Sequence, residues 1–123
     1  MNRKVLSLVQ LRERCGFWQP RLGVADWAFT IQLAHAHEFS DQRVTANCTF
    51  NLETRRAAIK ILHASEHLDD ALAPLDMEVS LVHEMLHPLF GPFDLTKSNS
   101  LEDTMLEQAI TCLSTALVEL SRM

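Results

Sequence analysis

The string His83-Glu84-Met85-Leu86-His87 sets two imidazoles and a carboxylate at a spacing that suits metal chemistry. Residues four apart on an α-helix are stacked neighbours, so both imidazoles point the same way and can hold one metal ion. Glu84 is rotated from them by one residue and can reach a water bound to that metal. This is the H-E-x-x-H arrangement. A catalytic zinc takes three protein ligands and leaves one position for water, so a third ligand must come from elsewhere in the chain. Glu107 lies 20 residues beyond His87 and one step off an apolar stripe, at the border between core and cleft. Glu102 lies 15 residues beyond His87, near a helix start, where capping beside Asn99 already accounts for a carboxylate. Glu107 is therefore the expected third ligand.

The elements that must position these groups read as follows. Val5, Leu8, Val9 and Leu11 fall at helical spacings, and Gly16, Pro20 and Gly23 are expected to end that first helix, over about residues 2 to 15. Strict alternation then marks strands at 27–35 (Trp27, Phe29, Ile31, Leu33 on one face), 44–51 (Val44, Ala46, Cys48, Phe50) and 56–62 (Ala57, Ile59, Ile61). The polar stretch from Leu52 to Arg56 suggests a hairpin between the last two. After an Asp-rich connector, Val79, Val82, Leu86 and Leu89 mark a helix over 76–89 with Asp76 as N-cap and Gly91-Pro92 as stop. A loop to Ser100 follows, and its Phe90, Phe93 and Leu95 are expected to wall the cleft. Leu106, Ile110, Leu113, Leu117 and Leu120 step by four, three, four and three, which predicts a helix over 100–121 packed along that stripe. The fold class is α+β.

Composition narrows the partners. A chain of 123 residues with 47% hydrophobic and 22% charged content suits one compact domain. A net charge of -5, with basic residues scattered apart from Arg55-Arg56, argues against nucleic acid and anionic lipid. Cys15, Cys48 and Cys112 are odd in number and lack a C-x-x-C pair, so free thiols in a reducing cytoplasm are expected. The apolar stretch after Arg3-Lys4 is too short and too soon interrupted for a signal peptide, and no run reaches the roughly 20 residues of a membrane span. Oligomeric state is not legible. Tyrosine is absent, so any oxyanion must rely on the metal alone, on an arginine, or on one of His35, His37, His63 and His67.

The strand region, the string LVHEMLH and a glutamate 20 residues later in EQAIT resemble the gluzincin class of zinc metallopeptidases. The likeness covers roughly residues 27 to 120 and extends to one-domain minimal members and to the short metallopeptidases of phages and prophages. It implies a minimal zincin-like domain over residues 1–123, with Zn2+ bound by His83, His87 and Glu107 and with Glu84 as general base and acid. The implied reaction is hydrolysis of a peptide bond, with an extended protein or peptide substrate added to the exposed sheet edge. In the larger members of that class an aspartate one turn after the ligand glutamate supports the first zinc histidine; here Thr111 stands there, and Asp103, one turn before Glu107, is a candidate substitute.

Other readings are weaker. Glu84-x-x-His87 is also the half-site of di-iron bundles, but no other glutamate has a histidine three residues on. His63 and His67, with Glu66 between, form a second i,i+4 pair but sit in a polar connector beside Asp69 and Asp70. The main alternative is a zinc-stabilised interaction module that cleaves nothing, favoured by Thr111 and by the missing phenol.

Overall fold

A computed structural model describes residues 3–41, 44–68, 74–93 and 100–123. Its elements run α1 (Leu8–Arg21), β1 (Ala28–Ala34), β2 (Ala46–Asn51), β3 (Arg56–Leu62), α2 (Met77–Phe90) and α3 (Leu101–Ser121), with short 3-10 turns at Ala36–Glu38, Ala64–Glu66 and Gly91–Phe93. The mixed α+β class is as expected, and the strands and last two helices lie within two residues of their predicted bounds. Asp76 caps α2, its carboxylate accepting from the N–H groups of Glu78 and Val79. Ser100 caps α3, leaving Glu102 exposed in the first turn.

The first helix departs from expectation at both ends. Ser7 and Gln10 form a reciprocal capping box, which starts α1 six residues later than the apolar spacing suggests. Residues before it are extended: the Lys4 N–H bonds Leu75 O and Lys4 O accepts from the Met77 N–H, tying the N-terminal segment to the head of α2. At the other end Gly16 is exposed and does not stop the helix. Buried Cys15 and Trp18 hold both sides of it, and Pro20 falls in the last turn, where it forfeits a single backbone bond.

The sheet order is β1-β3-β2, so the third strand is central. β1 pairs with β3 in parallel (Ala28↔Arg56 to Ala34↔Leu62), and β2 pairs with β3 antiparallel (Ala46↔Ile61 to Asn51↔Arg56), the expected hairpin. Its turn is tied by Asn51 Oδ1, which accepts from the Glu53 and Thr54 N–H groups, and Arg55 takes a positive φ of 55°. One sheet face is core: Ile31, Ile59 and Ile61 pack on Leu81, Val82 and Met85 of α2 and, with α1, on Leu11 and Trp18. The other face carries exposed Ala28, Thr30 and Gln32.

α2 lies in the middle, between the sheet, α1 and α3. It is therefore buried over most of its circumference, including Met77, Leu81, Val82, Met85 and Leu86, rather than along one stripe; Leu89 is exposed. α3 meets α2 through Ile110, Ser114 and Val118, with Leu106 and Leu117 half-buried, whereas Leu113 and Leu120 of the predicted stripe face out. The phase is rotated because Ser114 is small enough to sit against α2, its hydroxyl donating to Thr111 O at 3.0 Å. Among the described residues, no helix is long and apolar enough to cross a membrane.

Candidate metal centre

His83 and His87 project from α2 one turn apart, their rings 5.2 Å between centroids. Glu107 reaches both from α3. Its Oε2 lies 3.0 Å from His83 Nε2 and its Oε1 lies 2.9 Å from His87 Nε2. The burial of Ile110 and Val118 against α2 fixes the rotation of α3 that brings this carboxylate over the imidazoles. The ligand atoms of His83, His87 and Glu107 all fall within 4.8 Å of one another, so the group can hold a metal ion, and it is the one such group of three among the described residues. Imidazole nitrogens and a carboxylate are a donor set that suits a borderline divalent metal such as zinc.

Glu84 is 6% exposed, and burial pushes its carboxyl above the usual range, against the pull of the two imidazoles. Hydrogen bonds from His83 and then His87 hold the Glu107 carboxyl well below that range. The two carboxylates thus have opposite tendencies, one held ionised and one inclined to take a proton.

All four groups open into a cleft of about 550 Å³. Its opposite wall is Val44 and Thr45 together with the first half of β2, Ala46, Asn47 and Cys48, and Thr111 and Ser114 complete the α3 side. The Leu62 N–H bonds Thr45 O, so backbone groups of Thr45, Asn47 and Thr49 point at β3 and those of Ala46 and Cys48 point to the open edge beside the cleft. Cys48 faces Glu84, and its thiol is pushed up to about 12 by burial and then by that charge.

Several expectations need correction. Of the expected loop wall, Phe90 packs on the core, while the Phe93 side chain and Leu95 lie outside the described residues; among the described residues the wall facing the imidazoles is the segment 44–48. His35, His37, His63 and His67 do not line the cleft, and neither does any described arginine. His35 stacks on His63 at 4.3 Å between centroids and bonds Glu66 through Nδ1, so His63, Glu66 and their neighbours tie β1 to β3. The group at His83 Nδ1 is the Thr111 hydroxyl, at 3.5 Å, while Asp103 takes the Ser100 cap through its N–H. No family model matches the chain, and no curated protein or solved structure matches it either.

Proposed function

We propose that this protein is a zinc-dependent peptidase of the gluzincin kind, hydrolysing peptide bonds in a protein or peptide substrate. The observation that carries the reading is the convergence of His83, His87 and Glu107 from two helices, with a buried glutamate one residue from the first ligand. Zinc bound there would lower the pKa of a coordinated water and polarise the substrate carbonyl. Glu84, buried one residue from the first ligand, would accept a proton from such a water and return it to the leaving amine. The open edge of β2 supplies N–H and C=O groups at Ala46 and Cys48 that can pair with an extended substrate strand. With no phenol in the chain, stabilisation of an oxyanion would fall to a bound metal and to such backbone donors.

The 3.5 Å contact between Thr111 and His83 is longer than a normal hydrogen bond, and it favours a second reading, a zinc-holding module that binds a partner and cleaves nothing. Cleavage of an unfolded test protein separates the two. Wild type should cut it and lose the activity to a chelator, and Glu84→Gln should keep the metal yet cut nothing. Equal behaviour of wild type and Glu84→Gln would remove the peptidase reading.

A further inference from the structure

The side of α3 turned away from α2 carries a second apolar line, Leu101, Met105, Ala109, Cys112, Ala116 and Leu120, which Met123 continues just past the C-cap Arg122, all exposed. Leu101, Met105, Leu120 and Met123 leave 71%, 59%, 64% and 97% of their surface open. The steps of four, four and three residues repeat every 11, which is three helical turns, so the line runs nearly straight along the helix. Its side-chain sizes read alike from both ends: two large, three small, two large.

That order is self-complementary about Cys112. In an antiparallel pair of copies Leu101 meets Met123, Met105 meets Leu120, Ala109 meets Ala116, and Cys112 meets its own counterpart. A two-fold interface requires such a match of one patch with itself. The three small residues at the centre allow the two helix axes to come near the lower end of the usual 8–10 Å spacing. Charge selects the direction. Parallel copies would set Glu102 on Glu102 and Glu119 on Glu119, whereas antiparallel copies separate these pairs and oppose the helix dipoles favourably. The line is about 30 Å long. The smallest specific interfaces bury about 600 Å² per copy, and this line would form the apolar centre of one of that size.

We propose that the protein forms a reversible antiparallel dimer through the outer face of α3. Glu107 lies on the opposite side of the same helix, so both clefts stay open and the helix that supplies the third ligand is braced by its copy.

Sedimentation equilibrium of the full chain should show a concentration-dependent monomer–dimer equilibrium, and Ala116→Arg should abolish the dimer while leaving the circular dichroism spectrum unchanged. Mild oxidation with diamide, which takes two electrons and two protons from the facing thiols, should link wild-type copies through Cys112, since Cys15 is buried and Cys48 half-buried. Cys112→Ser should lose that link. A wild type that stays monomeric at sub-millimolar concentration would overturn the proposal, as would a dimer that survives Ala116→Arg or a link that survives Cys112→Ser.

Discussion

The ring of His83 has its Nε2 against Glu107 and its Nδ1 against a hydroxyl, which orients an imidazole less firmly than a carboxylate does. Thr111→Asp should therefore tighten zinc binding by about 10-fold, and Thr111→Val should weaken it by a similar factor, as read by competition with a chromophoric chelator. Loss of a ligand should cost more. Glu107→Ala is expected to weaken zinc by on the order of 100-fold, whereas Glu102→Ala, exposed in the first turn of α3, should change nothing in the same titration. Equal effects of the two alanine variants would move the third ligand away from Glu107.

At the scale of elements, α1, α2 and the end of α3 are joined through one buried carboxylate. Glu78 is 3% exposed and accepts from Trp18 Nε1 at 2.8 Å, Arg14 Nε at 2.7 Å and Arg122 at 3.3 Å. Burial opposes its charge, yet these donors prevail and hold its pKa below the ordinary value. A depressed folded-state pKa means that the unfolded chain binds more protons as the pH falls, so this stability is present above about pH 4 and lost below it. Glu78→Gln should cost about 2–4 kcal/mol near neutrality, because Arg14 and Arg122 lose a buried partner, and should flatten the acid limb of the stability curve measured by urea denaturation against pH. An unaltered acid limb in the variant would show that Glu78 does not carry it.

The alternation in β1 to β3 and the periodicity of α2 and α3 are local signals, and HEMLH sits where helical spacing puts it. The bounds of α1 hinged on the capping box of Ser7 and Gln10, a signal present in the chain but outweighed by the apolar residues before it. The parallel pairing of β1 with β3 depends on a long-range contact, so neither the central position of β3 nor the role of β2 as cleft wall was legible. The phase of α3 was misread because its outer face is apolar too, and hydropathy alone does not tell which of two apolar faces meets α2.

For the whole molecule, the metal would join α2 to α3 across a contact in which Ile110, Ser114 and Val118 are the buried residues of α3. Ligand binding to the folded state alone adds about 2.7 kcal/mol when free zinc is 100 times its Kd. For a chain of this length that corresponds to a rise in Tm of about 10 °C, seen by calorimetry with and without chelator. His87→Ala should show no zinc-dependent shift. A wild type whose Tm ignores both zinc and chelator would contradict the coupling.

The proposed function stands on a zinc site formed by His83, His87 and Glu107 beside Glu84. Zinc K-edge absorption spectroscopy of the purified full chain addresses it most directly. About one zinc per chain is expected, with two imidazole nitrogens and carboxylate or water oxygens at about 2.0–2.2 Å. Absence of stoichiometric zinc, or a sulfur neighbour at about 2.3 Å that draws in Cys48, would contradict it.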